Sequence, residues 1–234
     1  MNNNPKIVIL TGAGISAESG LRTFREMGGL WEEYDVYEVA SPQAWQKDKE
    51  LVLRFYNERR KQLYKVKPNK AHISIAELEE FFNCEVITQN IDDLHEQAGS
   101  SKVLHLHGEL KKSRSTIDPS LIYPIEGEEL NLGDKCEKGS QLRPHVVWFG
   151  EQVPAIQDAI AITETCDVFI VVGTSLNVYP AASLIDFVPK KAEIFLIDPN
   201  GIGGNFSRKI NLIQEKATFG VPLLVDKLKK MFYE

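Results

Sequence analysis

No stretch of this 234-residue chain approaches the ~20 consecutive apolar residues that a bilayer-crossing helix requires, and no membrane partner is expected. Cysteine is scarce. Cys84, Cys136 and Cys166 are odd in number and far apart, which offers no disulfide framework and suits a reducing compartment. Cys84 and Cys166 each precede an apolar run and read as small buried hydrophobes. Basic blocks are missing as well. The formal net charge is −6, and the richest basic stretch, 54–70, alternates with apolar residues at helical spacing, the pattern of a solvated helix face. Nucleic acid is therefore not expected as a partner. Met1-Asn2-Asn3-Asn4-Pro5 shows no cationic segment ahead of an apolar run, and a cytoplasmic location is expected. Internal repeats and low-complexity tracts are also lacking, which argues against a solenoid or a disordered scaffold.

What is present suits a globular protein. Hydrophobic residues make up 43% and charged residues 26%, enough to bury a core. At this length one large α/β domain, or one carrying a smaller insertion, is the usual outcome. Residues 6–10, KIVIL, form a continuous apolar run that reads as a parallel strand buried on both faces. Further buried strands are predicted at 85–88, 103–106, 146–149, 168–172 and 193–197. Helices are predicted at 72–82, 155–165, 180–188 and 221–232. This alternation predicts an α/β fold with a doubly wound, Rossmann-like parallel sheet. Two segments fit it poorly: 22–70, with helices predicted at 42–46 and 49–64, and the polar, turn-rich 111–142. Both read as insertions that together form a second, smaller domain. The expected partition is 1–24, 71–110 and 143–234 for the large Rossmann-like domain, with 25–70 and 111–142 for the small one.

Polar motifs gather at the predicted strand ends, where ligands bind in open α/β sheets. The first strand runs straight into Thr11-Gly12-Ala13-Gly14-Ile15-Ser16. Glycines between a strand and a short helix let the backbone approach a pyrophosphate, and the helix amino terminus offers N–H donors. A redox Rossmann protein would add a third glycine and, about twenty residues on, an acidic residue ending the second strand. Here the turn continues as Ser16-Ala17-Glu18-Ser19-Gly20-Leu21-Arg22-Thr23-Phe24-Arg25, with no prompt second strand. The strand at 85–88 leads into Gln89-Asn90-Ile91-Asp92-Asp93-Leu94-His95. Its amides and carboxylates can hydrogen-bond a carboxamide and ribose hydroxyls, or Asn90 and Asp92 can simply cap the next helix. The following strand ends in His105-Leu106-His107-Gly108-Glu109. Strand alternation puts His105 and His107 on one face, and a histidine at a strand end beside a nucleotide cleft is placed for proton transfer near neutral pH. Arg143-Pro144-His145-Val146-Val147-Trp148-Phe149-Gly150-Glu151, Val172-Gly173-Thr174-Ser175 and Asp198-Pro199-Asn200 complete the set. His72, His95 and His145 lack comparable neighbours and receive no role.

In this order, GAGIS with SG and FR, TQNID, HGE, RP with VVWFGE, and GTS resemble the sirtuins over roughly residues 7–228. HVVWFGE and Phe55-Tyr56-Asn57-Glu58-Arg59-Arg60 resemble the bacterial NAD-dependent protein deacylase branch most closely. The resemblance implies that NAD+ is bound and consumed. Gly12, Ala13, Gly14, Ile15, Ser16, Glu18, Phe24 and Arg25 would cradle its phosphates and fold over it, with Trp31 also on the cofactor. Gln89, Asn90, Ile91 and Asp92 would line the nicotinamide and ribose pocket. Gly173, Thr174 and Ser175 would bind the adenosine side, Pro199 and Asn200 would lie near the adenine ribose, and Ala217 near the adenine. His107 would be the catalytic base. Val146, Val147, Trp148, Phe149 and Gly150 would pair with an acylated-lysine peptide as an added strand.

The implied chemistry is attack of the acyl-lysine amide oxygen on the nicotinamide ribose C1′, expelling nicotinamide; His107 then helps deprotonate a ribose hydroxyl, which attacks the former amide carbon, and water releases the products. Free lysine, nicotinamide and O-acyl-ADP-ribose result. Tyr56 and Arg59, three residues apart on a predicted helix, share a face. By the resemblance they would contact the carboxylate of succinyl- or malonyl-lysine, which suits a guanidinium fork; the plainer alternative is an amphipathic helix with Phe55 inward and Arg59 solvated. The pattern breaks at one place. Most sirtuins hold a structural zinc with two Cys-x-x-Cys pairs between HGE and RP, and this interval contains only Cys136 against the four thiolates needed. No zinc is expected, and the small domain should rest on Leu121, Ile122, Tyr123, Ile125, Leu130 and Leu132. ADP-ribosyl transfer on the same fold and non-catalytic NAD+ sensing stay open as alternatives at this point.

Overall fold

The computed structural model describes residues 4–21, 35–174, 179–201 and 208–233. Phe24, Arg25, Trp31 and Ser175 lie outside the described residues.

The apolar run near the amino terminus forms β1 (Lys6–Thr11), buried from Ile7 onward. A strand apolar on both faces must be covered on both, which requires a central position. Five further strands, β2 (Asn83–Thr88), β3 (Val103–His105), β7 (Val168–Val172), β8 (Glu193–Ile197) and β9 (Asn211–Ile213), join it in the order β3-β2-β1-β7-β8-β9, all parallel. The chain fills one side of β1 first and then crosses to the other. The strand order therefore reverses between β1 and β7, which opens a crevice at their carboxyl ends.

Strand alternation splits the core into two layers. Ile7 and Ile9 pack with Ile75 of α5 (Lys70–Glu77) and with Val221, Leu224 and Leu228 of α8 (Ala217–Tyr233). Val8 and Leu10 pack on the opposite layer with Ala159 of α7 (Ile156–Thr163) and Leu184 of the 3-10 segment Ala181–Phe187. Among the described helices none is long and apolar enough to cross a membrane.

The remaining elements form a smaller module. Strands β4 (Gly108–Ser115), β5 (Ile122–Pro124) and β6 (Leu142–Val146) build an antiparallel sheet in the order β5-β4-β6. Helices α2 (Val36–Val39), α3 (Pro42–Lys47) and α4 (Lys49–Leu63) pack with it around Trp45, Val52, Phe55, Leu110, Leu130 and Trp148. Ser41 caps α3 and is followed by Pro42 at its first turn, and Asp48 caps α4 by accepting from the Leu51 amide at 2.9 Å.

Two sequence expectations are corrected here. The run 146–149 is not a strand of the large sheet: Val146 ends β6, and the chain then turns at Gly150. Its apolar character reflects burial of Val146 and Trp148 in the small module, and a short apolar run reports burial without specifying the partner. Nor is the small module's core as expected. Ile125 and Leu130 are buried, but Leu121 and Tyr123 are only half-buried and Ile122 and Leu132 are exposed. Strand β5 lies at the edge of its sheet and turns Ile122 outward, and α4 brings Val52, Leu53, Phe55, Tyr56 and Leu63 into the core. Among the described residues no group of three or more His, Cys, Asp or Glu is arranged to hold a metal ion. Cys136 Sγ instead lies 3.4 Å from the hydroxyls of both Ser115 and Ser140, which are 3.0 Å apart, tying the end of β4 to the turn before β6.

Candidate functional site

The crevice between β1 and β7 is closed at its base by two loops that interlock. The Gly12 amide donates to the Val172 carbonyl at 3.0 Å, and the Gly14 amide to the Gly173 carbonyl at 2.9 Å. A Cβ on Gly14 would sit 2.8 Å from the Gly173 Cα, and one on Gly173 would sit 2.4 Å from the Ile15 nitrogen, with φ at +62°. Side chains here would drive the loops apart. Ala13 and Ile15 lie in the short helix α1 (Ala13–Ala17) that begins in this turn.

Asn90 spans the crevice. Its Nδ2 donates to the Gly12 carbonyl at 3.1 Å and to Ser16 Oγ at 3.2 Å, while its amide donates to Thr88 Oγ1 at 3.0 Å. Gln89 Nε2 reaches Thr174 Oγ1 at 3.2 Å, so the ends of β2 and β7 are bridged as well. Asp92 is buried and accepts from the Leu94 amide at 3.2 Å, at the start of α6 (Leu94–Ala98). Burial raises its carboxyl pKa, opposed by that amide and by Ser16. Asn90 thus bonds the glycine turn in place of the helix start, and Asp92 meets the first amide of α6 from one position before the cap, which is Asp93 and makes no side-chain cap bond. Ile91 is half-buried beside them, and its carbonyl accepts from the Leu110 amide.

His107 follows β3 and places its Nδ1 2.9 Å from the Gln89 carbonyl. A carbonyl only accepts, so Nδ1 carries the hydrogen and Nε2 keeps its lone pair. Burial lowers the imidazole pKa below its ordinary 6.5, opposed by the Gln89 bond. The ring is therefore neutral at pH 7, the form a base requires.

Beneath these groups runs a buried polar chain that the sequence did not reveal. Thr11 Oγ1 donates to Thr88 Oγ1 at 2.8 Å and meets His95 Nε2 at 3.0 Å; the rings of His95 and His72 touch edge-on with centroids 4.9 Å apart. Burial lowers the His72 pKa to about 4 and holds His95 well below 6.5. A histidine whose folded pKa is depressed contributes stability that is present above 6.5 and lost as pH falls toward the folded value. We expect stability to drop between pH 6.5 and 4, by roughly 3 kcal/mol from His72 alone. Urea unfolding across that range measures it, and the drop should shrink in His72→Gln.

Other placements were also missed. Asn69 Nδ2 donates to the Ile15 carbonyl at 2.8 Å and to Ser19 Oγ at 2.9 Å while its Oδ1 caps α5. Glu18 accepts from the Thr218 amide and hydroxyl at the start of α8, beside the buried Ala217. Asx and carboxylate caps are common at helix starts, but nothing local shows that these two also tie α5 and α8 to α1. Pro199 and Asn200 are exposed just past β8, on the edge of the sheet that also carries Gly12 and Gly173.

On the other side lies the turn 146–151. Arg143 stacks 3.3 Å over the Trp148 ring and grips Glu151 through Nη1 at 2.6 Å and Nη2 at 3.0 Å. The amides of Val147, Trp148 and Phe149 already donate, to the His107 carbonyl, to Glu151 and to the Ala40 carbonyl. An added peptide strand would have to pair with Gly150 and with carbonyls of this turn. Trp148 Nε1 donates to the Tyr56 hydroxyl at 3.0 Å, and burial raises the Tyr56 pKa. Arg59 is 8% exposed, so the solvated-helix alternative fails. Arg60, fully buried, donates to the carbonyls of Leu110 and Glu128 and to Asn57.

Residues 12–180 match the model of the Sir2 family. The chain is 53% identical over 220 residues to an NAD-dependent protein deacylase of Bacteroides thetaiotaomicron, covering 92% of this chain and 94% of that one. It is 52% identical over 225 residues to an NAD-dependent protein deacylase of Helicobacter pylori strain J99, covering 96% of each. Among solved structures it is similar to a Sir2 homologue in complex with NAD, with a TM-score of 0.87, 42% identity, and coverage of 97% of this chain and 91% of that one. It is likewise similar to a mutant Sir2 homologue bound to ADP-ribose, with a TM-score of 0.89 and coverage of 97% and 93%.

Proposed function

The chain belongs to the Sir2 family, and on that premise we propose that it is an NAD-dependent protein-lysine deacylase acting on acylated proteins in the cytoplasm. The observation that carries this reading is the neutral His107 imidazole, its Nδ1 committed to Gln89 and its Nε2 left to accept a proton. The residues present fit an oxidised nicotinamide dinucleotide. The glycine loops meet at the switch point of the sheet, and uncharged amides with one buried carboxylate surround the crevice. When bound, NAD+ supplies a ribose carbon whose cationic leaving group departs readily. The protein's own task is positioning, water exclusion and proton removal. Asn90 and Gln89 set the loop against Gly12 and Thr174, and His107 Nε2 takes a proton from a ribose hydroxyl. Carbonyls of the turn 146–150 receive the peptide. The domain division proposed is 1–24, 71–107 and 149–234 for the dinucleotide-binding domain and 25–70 with 108–148 for the small one, which moves the expected edges at 110 and 143 so that β4 and β6 lie wholly in the small domain.

The deciding experiment incubates acetyl-, succinyl- and malonyl-lysine peptides with NAD+ and weighs the products. O-acyl-ADP-ribose with free lysine supports the reading; ADP-ribose attached to protein sinks it. The acyl preference follows from Tyr56 and Arg59, a phenol and a guanidinium three residues apart on α4. Arg59→Met should lower desuccinylation by roughly ten- to a hundredfold, the effect of losing a charge-assisted bidentate contact, and deacetylation by far less. Equal losses on both substrates would show that Arg59 does not read the acyl carboxylate.

A further inference from the structure

The proposed chemistry leaves unused an ordered polar group two residues before the base. His105 and His107 project from one face, while Leu104 and Leu106 turn to the core beneath α7. The two imidazoles grip adjacent carbonyls of one loop. His107 Nδ1 lies 2.9 Å from the Gln89 carbonyl, and His105 Nδ1 lies 3.0 Å from the Asn90 carbonyl. They differ at the far nitrogen, because His105 Nε2 meets Glu96 Oε1 at 2.7 Å. A carbonyl and a carboxylate both only accept, so satisfying the two contacts requires a hydrogen on each ring nitrogen. His105 is held as a cation, with its side chain only 7% exposed.

We propose that the Glu96–His105 ion pair is a positioning device for the reaction: it fixes the Asn90 carbonyl, and with it the Asn90 amide that bridges Gly12 and Ser16, in the arrangement that binds NAD+. This rests on reading the crevice as an NAD+ site. Burial lowers the His105 pKa, but the Glu96 bond and charge, the Asn90 carbonyl and Glu109 of β4 outweigh it, and the pKa stands above 6.5. The other groups facing the ring are His95 on α6, neutral through burial, and Asp92 in the preceding loop. As pH rises through the raised pKa the ring loses one hydrogen, and either the Asn90 or the Glu96 contact must go. NAD+ affinity is thus intact below that pH and falls above it.

Three variants, followed by kinetics, calorimetry and resonance titration, test this. Glu96 is half exposed, so Glu96→Ala should fold. It should raise both the KM and the calorimetric Kd for NAD+ by about tenfold, the scale of one charge-assisted hydrogen bond, while kcat changes less than about twofold. His105→Ala should do the same. In Glu96→Gln the side-chain amide can donate to Nε2 of a neutral ring, leaving Nδ1–H on Asn90. That variant should keep KM near the native value and lose the alkaline decline in affinity. Ring proton and carbon resonances should show His105 titrating above pH 6.5 in the native protein and lower in Glu96→Gln, whether or not the enzyme turns over. The proposal is overturned if Glu96→Ala lowers only the melting temperature and leaves KM, Kd and the pH dependence in place, or if native His105 titrates below 6.5. Absence of NAD+ binding in the native protein would defeat the reading of the crevice instead, and the His105 titration would still decide the ion pair.

Discussion

His107→Ala is expected to lower deacylation by about 10²- to 10⁴-fold, the contribution of a positioned general base. It should leave the fold intact. The imidazole makes one hydrogen bond, to the Gln89 carbonyl, at a half-buried site, so its removal costs on the order of 1 kcal/mol. Expulsion of nicotinamide precedes the need for a base, and acyl-peptide-dependent nicotinamide release should therefore persist while O-acyl-ADP-ribose formation collapses. Separate assays of the two products decide this. The pH profile supplies an independent check. Because burial lowers the His107 pKa, the base is active above that value, and at saturating NAD+ the rate should hold on the acid side until pH drops below 6.5. Full deacylation by the variant would remove His107 from the mechanism.

The large sheet was legible because its central strands are apolar on both faces. KIVIL, VFIVV and EIFLI have no polar alternate, and only a strand covered by helices on both sides reads that way. The strands that escaped detection fail that test for identifiable reasons. β9 is an edge strand with half-exposed residues. β4 reads as polar, GELKKSRS, yet Ser113 and Ser115 are each 1% exposed. Small hydroxyl residues with hydrogen-bond partners can be buried without any apolar pattern. VVWF misled in the opposite sense, since its burial is real but belongs to the small module.

The site shows the same division. Motif order placed Gln89, Asn90, His107 and Gly173 at strand ends, because the turn after a parallel strand is where a polar cluster must emerge. What could not be read were bonds between turns. Asn90 to Gly12, Glu18 to Thr218 and Asn69 to Ile15 join residues separated by 54 to 200 positions, and they exist only once the strand order is known. The charge state of His105 was equally hidden, since it depends on Glu96 of α6 meeting the ring at 2.7 Å once α6 and β3 are packed together.

Gly173→Ala is expected to be severely damaging for a single added methyl in the interlocked loops, and Gly127→Ala separates its two causes. Both glycines have positive φ, +62° and +78°. For an alanine this backbone costs roughly 1–2 kcal/mol. At Gly127 that is the whole penalty, because nothing lies within 4 Å of the added Cβ. At Gly173 the Cβ meets the Ile15 nitrogen at 2.4 Å and the Gly14 carbonyl carbon at 2.7 Å. These are backbone atoms that cannot rotate aside, so overpacking adds about 1–3 kcal/mol or the loops separate. Separation would draw Gly14 and Ile15 away from the crevice and pull on the Gly12 carbonyl that Asn90 holds. Urea unfolding should show Gly173→Ala destabilised by about 2–5 kcal/mol, against about 1–2 kcal/mol for Gly127→Ala. Calorimetry should show NAD+ affinity falling at least tenfold in the first variant only, since misplacing a pre-formed site forfeits contacts already in place. Equal affinities in the two variants would mean that the interlocked glycine loops do not shape the dinucleotide site.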